Sequence, residues 1–168
     1  MRTIEYNRQA AVEYARRWAY ARNPKYFNFN SLGGDCTNFA SQCLFAGAPI
    51  MNTTPTFGWF YRSLNDRSPA WTGVEFFYRF LTGNAQGDGI GNGVGPFAQE
   101  VDISELEIGD FVQLGSETGD FYHTPVVVGF SRGAPLLAAH TYDAYNRPLT
   151  SYGYARLRCL HILGVKTE

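Results

Sequence analysis

Cysteine and histidine are both scarce in this 168-residue chain, with three of each. The cysteines are Cys36, Cys43 and Cys159. An odd count excludes a fully paired disulfide framework and leaves at least one free thiol. The spacing Cys36-x6-Cys43, with lone histidines far downstream, matches no standard zinc arrangement, so no metal and no cofactor are expected. Neither sign of charge dominates: 14 basic residues face 15 acidic ones, the net charge is −1, and no basic block stands out. Nucleic acid is therefore not an expected partner. No apolar run reaches the length of a membrane span, and the polar Met1–Gln9 stretch lacks the apolar centre of a signal peptide. The glycine-rich stretch 83–95 has no GK[ST] ending and follows no strand, which argues against a phosphate cradle and for a mobile loop or lid.

What remains is an ordinary globular composition, 45% hydrophobic and 17% charged, of a length that suits one domain over residues 1–168. Aromatics are abundant, at 16%. Most belong in a core, and some could line a groove for sugars or peptides. Residues 8–22 read as a helix capped by Asn7, with Ala11, Tyr14, Ala15 and Trp18 on one face. A second helix starts at Asp35 or Cys36, with Asp35 as N-cap, Phe39, Ala40, Cys43 and Leu44 as its apolar face, and Gly47 as its stop. A short third helix spans 74–82. Beyond it the pattern turns to strands at 111–114, 122–130, 135–142 and 154–163. Helices first and an antiparallel sheet second predict an α+β domain.

Cys36 differs from the other two cysteines. It follows Gly33-Gly34-Asp35 and precedes the polar Thr37 and Asn38, whereas Cys43 lies on an apolar helix face and Cys159 alternates with Leu157 in a strand. At a helix start, the free N–H groups and positive dipole end favour the thiolate and offer an oxyanion site. A cysteine nucleophile needs a base, and the base an orienting partner. His123 and His140 sit on strands joined by the short connection 131–134. If Phe130 pairs with Pro135, His140 is diagonal to His123 on one face, while a register slip of one residue would put them on opposite faces. Asp143 is a second candidate for the orienting role. His161, alternating with Leu157 and Cys159, reads as structural.

The pieces YNRQAAVEYARRWAYARNPKY, GGDCTNFASQCLFAGAP, GWFY with WTGVEFFYRFL, LEIGDFVQL, YHTPVVVGF and AAHTYDAYNRPL occur in that order over about residues 6–149. Together they resemble the "Putative amidase domain" family, a branch of the papain-like cysteine hydrolases near the NlpC/P60 and CHAP groups. The resemblance implies a papain-like fold with N-terminal helices packed on a C-terminal antiparallel sheet. It also implies Cys36 as nucleophile, His123 as general base and His140 as third member, acting on amide bonds of bacterial cell-wall peptides in the cell envelope or outside the cell. The expected partner is a peptide or peptidoglycan substrate, and the chain is taken as a monomer. One departure is Pro125, two residues after His123. It removes a backbone donor and suggests an edge or bulge there. Asn28 and Asn30 are candidate side-chain donors to the oxyanion. Two other readings stay open. One is a non-catalytic wall- or glycan-binding module that uses Trp59, Trp71 and the Tyr-rich 142–154 stretch. The other is acyl transfer to an amine.

Overall fold

Asn7 starts the first helix as its side chain suggests, accepting the Ala10 N–H at 3.0 Å. In the computed structural model, which describes residues 1–87 and 91–168, this helix is α1 (Arg8–Trp18) and follows a short strand β1 (Arg2–Ile4). It is shorter than the expected 8–22. Next come α2 (Cys36–Gly47), the small hairpin β2 (Tyr61–Ser63) and β3 (Asp66–Arg67), then α3 (Pro69–Thr72) and α4 (Val74–Gln86). The last turn of α4 takes the start of the expected 83–95 loop. Gly87, at φ 73°, closes it in the left-handed conformation that glycine adopts without cost. The middle of that stretch, 88–90, lies outside the described residues.

Seven strands follow: β4 (Gly95–Val101), β5 (Phe111–Gly115), β6 (Phe121–His123), β7 (Val126–Ser131), β8 (Ala134–Ala139), β9 (Ala144–Pro148) and β10 (Arg156–Thr167). They form a curled antiparallel sheet in the order β1-β10-β5-β7-β8-β9, with β4 also on β10 and β6 also on β5. The architecture is thus mixed helix and sheet. No helix among the described residues is long and apolar enough to cross a membrane.

The sheet has two apolar faces. Phe111, Val126, Val128, Ala138, Leu160 and Ile162 pack with the helices in the main core. Val112, Leu114, Val127, Leu137 and Cys159 point the other way, where Leu106 and Leu149 cover them. Helix α2 is buried along almost its whole length, as a helix apolar on most sides must be. Gly47 does more than stop it: a Cβ there would lie 2.4 Å from the Asn7 carbonyl and 2.6 Å from the Tyr6 ring. Trp59 and Trp71 stack at 4.8 Å between ring centres and are fully buried, so neither is a surface platform for a glycan. His161 is part of a polar pin. The buried Asp110 carboxylate accepts from Arg8 at 2.7 Å, the Glu107 N–H at 2.8 Å and the Ile162 N–H at 2.9 Å, and lies 2.7 Å from His161 Nδ1.

The β7–β8 hairpin opens in the expected register, Phe130 against Pro135. It then slips. Gly129 faces Leu136, but Val127 faces Leu137, so Val128 is an extra residue. This β-bulge is the one-residue shift that exchanges sheet faces. The expected strand 122–130 is also broken at Thr124-Pro125 into β6 and β7.

Candidate active site

Cys36 is the first residue of α2, behind Gly33 and Gly34 at φ 87° and 102°. Its sulfur lies 3.8 Å from the Tyr122 carbonyl oxygen and 3.7 Å from Thr37 Oγ1, and the residue is 7% exposed. Burial pushes the thiol pKa up, and the Asp35 charge adds to that. The Thr37 hydroxyl and the Thr124 and Thr37 amides pull the other way and do not prevail. The expectation that the helix end would favour a resting thiolate is therefore corrected: desolvation outweighs the hydrogen bonds to the sulfur. Cys43 and Cys159 are buried too, and burial raises both thiols, that of Cys159 to about 11.

Asp35 precedes the helix but does not cap it, because its carboxylate turns inward. There it accepts from the Phe29 N–H at 2.8 Å and Asn38 Nδ2 at 2.9 Å, meets His140 Nδ1 at 2.5 Å, and lies 3.6 Å from Arg22 Nε. Burial alone would raise this carboxyl. The hydrogen bonds from His140, Asn38 and Phe29 together hold it below its ordinary value.

This pairing changes the reading of His140. The residue is 1% exposed and its ring stacks on Phe39 at 4.0 Å. Its second nitrogen, Nε2, lies 2.7 Å from the Trp18 carbonyl, which also accepts the Ala21 N–H at 3.2 Å, and 3.1 Å from Arg22 Nη1. No hydrogen bond joins it to His123 among the described residues. Asp143 makes no hydrogen bond to His123 among the described residues either; it forms a two-pronged pair with Arg22 at 2.9 Å for each contact. Between them, Thr141 Oγ1 accepts the Asp35 N–H at 2.9 Å. The turn 140–143 is thus held at three of its four residues, and Thr141 and Tyr142 both adopt positive φ, 62° and 61°. Such backbone costs energy for a non-glycine residue and persists only where its surroundings impose it. The one side chain this clamp leaves free is Tyr142, 86% exposed. Neither the two-residue strain nor the clamp has a sequence signal, which is why Tyr142 emerged only as part of a Tyr-rich stretch.

His123 ends β6 opposite Leu114, and directly opposed residues share a sheet face. The ring therefore belongs to the second face, where it lies 5.9 Å from the Tyr152 ring, while α2 packs on the first. The residue on the α2 side is Thr124, whose Oγ1 is 3.2 Å from Thr37 Oγ1. Neither nitrogen of His123 has a hydrogen-bond partner among the described residues. Burial, and then the Arg147 charge, lower its pKa to about 4, so at neutral pH it is an uncharged base. Arg147 stands over the Tyr152 ring at 3.7 Å. The site at rest is a neutral thiol lodged against the backbone on both sides of a neutral imidazole. Asn28 closes a local turn by accepting the Asn30 N–H at 3.0 Å, and no hydrogen bond links either residue to Cys36 among the described residues.

Comparison with known proteins adds the family. The "Putative amidase domain" family matches residues 5–162. The chain is also 34% identical over 150 residues to the uncharacterized protein YhbB of Bacillus subtilis (strain 168), a match that spans 87% of this chain and 45% of that protein. No solved structure matches the chain. With the family match covering nearly its whole length, the chain belongs to the "Putative amidase domain" family.

Proposed function

We propose that this chain is a cysteine amidohydrolase on a papain-like scaffold of the NlpC/P60 and CHAP kind, with Cys36 as nucleophile and His123 as base. One observation carries the reading. The Cys36 sulfur, at the head of a buried helix, rests against the strand backbone that flanks His123, 3.8 Å from the Tyr122 carbonyl, and that imidazole is uncharged at neutral pH and has no hydrogen-bond partner among the described residues. Catalytic contacts of this kind are often open in a substrate-free enzyme and tighten on binding.

The chemistry follows from the neutral pair. His123 takes the thiol proton as the sulfur attacks the amide carbon. The Cys36 N–H, at the free end of α2, receives the developing oxyanion. The imidazolium then gives its proton to the leaving amine, which leaves a thioester on Cys36. Water, deprotonated by His123, cleaves that thioester and frees the acid and the thiol. His140 holds Asp35, and through it the start of α2, so its role is positioning. The resemblance of the DCTNFASQ and HTPVVVGF segments supports peptide amides of the bacterial wall as the substrate class. Tyr142, exposed beside Asp35, supplies a flat face for such a ligand.

Digestion of purified peptidoglycan and of free peptides, with products read by mass spectrometry and with added amine in a parallel reaction, tests the proposal. Hydrolysis products are expected from the native chain, none from Cys36→Ala, and about 10²–10⁴-fold less from His123→Ala. Full activity in Cys36→Ala ends the proposal. Amine adducts in place of acids would make it an acyltransferase.

A further inference from the structure

Beneath the thiol runs a line of buried polar side chains that the hydrolytic scheme does not use. Thr37 and Thr124 are each 1% exposed and Gln113 is 0% exposed. Burying hydroxyls and an amide is costly unless each is hydrogen-bonded, and these are, in sequence. Arg158 Nε donates to Gln113 Oε1 at 2.7 Å, and Gln113 Nε2 donates to Thr124 Oγ1 at 3.2 Å. Thr124 Oγ1 is 3.2 Å from Thr37 Oγ1, which is 3.7 Å from the Cys36 sulfur. At the outer end Arg158 is held by Glu75 at 3.0 Å and by the rings of Tyr78 and Phe121.

The direction of the first two bonds in this line is fixed, and that of the other two is inferred from them. A guanidinium has only donors, so the Gln113 oxygen must accept. The Gln113 nitrogen also faces the Val74 carbonyl at 3.0 Å, which can only accept. The amide is therefore oriented from both ends. Thr124 receives a proton from Gln113, and its own hydroxyl proton is left for Thr37. Were Thr37 to donate to Thr124 instead, the Thr124 proton would have no acceptor among the described residues. Thr37 thus receives from Thr124, and its proton is left for the sulfur.

We propose that Arg158, Gln113, Thr124 and Thr37 form a one-way donor relay that ends on Cys36 and stabilises its thiolate when the proton leaves. Thr37 touches the reacting atom, and the other three are positioning residues. Use of the relay in catalysis rests on the reading of Cys36 as nucleophile, but its existence does not. A hydrogen bond to a charged acceptor is roughly twice as strong as a neutral one, so the relay acts most strongly on the ionised sulfur.

The test is the pH dependence of iodoacetamide alkylation of Cys36 in the full chain, followed by peptide mass spectrometry to separate it from Cys43 and Cys159. Thr37→Val keeps the shape and removes the final donor. It is expected to slow alkylation about tenfold at fixed pH and to move the midpoint about one pH unit to the alkaline side. Thr37→Ser should restore native behaviour. Gln113→Met should act in the same direction by less, and the double variant Thr37→Val with Gln113→Met should be no slower than Thr37→Val alone. If circular dichroism finds Gln113→Met unfolded, Thr124→Val takes its place with the same expectation. An unchanged midpoint in Thr37→Val overturns the proposal, as do effects that add in the double variant. If the midpoint shifts as expected while Cys36→Ala still hydrolyses amides, the relay stands and the nucleophile reading falls. If Cys36→Ala is inactive but Thr37→Val titrates normally, the reverse holds.

Discussion

Replacing His140 by alanine separates a structural histidine from a catalytic one. The ring is 1% exposed and meets the Asp35 carboxylate at 2.5 Å, the Trp18 carbonyl at 2.7 Å and the Phe39 face at 4.0 Å. Removing it leaves a buried carboxylate short of one partner and the Trp18 carbonyl with the Ala21 N–H alone. Taking a partner from a buried carboxylate in this way costs about 3–5 kcal/mol, against a total stability of about 5–15 kcal/mol for a domain. In a chain of this length that corresponds to a melting point lower by about 6–20 °C. The effect carries a pH signature. The Asp35 carboxyl is held below its ordinary value in the folded state, so its contribution to stability is complete above the unfolded value of about 3.9 and is lost as pH falls through the folded value. Native and His140→Ala stabilities should therefore converge as pH drops below about 4. Urea titration at several pH values measures this directly. Activity per folded molecule should fall only modestly. A loss of stability under about 1 kcal/mol, together with loss of nearly all activity, would return His140 to the catalytic set and refute the argument.

Three more outcomes follow from the same geometry. Burial and Arg147 hold His123 at about 4, so the base form persists well below neutrality and the acid limb of kcat/KM should lie near pH 4. Arg147→Gln should move that limb upward, and a native limb near 6.5 would contradict the environment described for the ring. Tyr142→Ala should raise KM about 2–10-fold, the worth of one aromatic contact, with kcat and melting point little changed; an unchanged KM removes Tyr142 from the substrate surface. Asp110→Ala should destabilise the fold by about 3–5 kcal/mol, because the buried carboxylate ties α1, β5 and β10 together; denaturant unfolding that leaves the midpoint in place would refute that role.

The helices and most strands were legible because their signals are local. Asn7 before an apolar stripe gives α1, and the alternation around Leu157–His161 gives β10. Cys36 stood out for the same reason, since glycines and polar neighbours set it apart from Cys43 and Cys159. The relation between His123 and His140 was not legible, because it depends on one bulged residue. Val128 belongs to an unbroken apolar run, and nothing in VVVGF marks it as the extra member of a ladder. The pKa of the thiol was illegible for a different reason. A helix terminus can be read from sequence, but the burial that opposes it comes from strand β6, more than eighty residues away. Pro125 was the one local warning, and it marks the break between β6 and β7.

That break accounts for how the sulfur comes to rest against the backbone that flanks His123. On one side, β6 and β7 run along β5 in continuous register, from Leu114 against His123 to Phe111 against Val126. On the other side, β8 pairs with β7 only as far as Val126 against Ala138. Beyond Ala139 the chain turns back into β9, and in that turn His140 meets the Asp35 carboxylate while Thr141 accepts the Asp35 N–H. The edge of β6 is thereby left without a neighbouring strand. Its free Tyr122 carbonyl and Thr124 amide face the space where that strand would lie, and the head of α2 fills it with the Cys36 sulfur. The Asp35–His140 pair thus lies where the β7–β8 ladder ends and the head of α2 begins. His140 supports that geometry from the Asp35 side, with no hydrogen bond to His123 among the described residues.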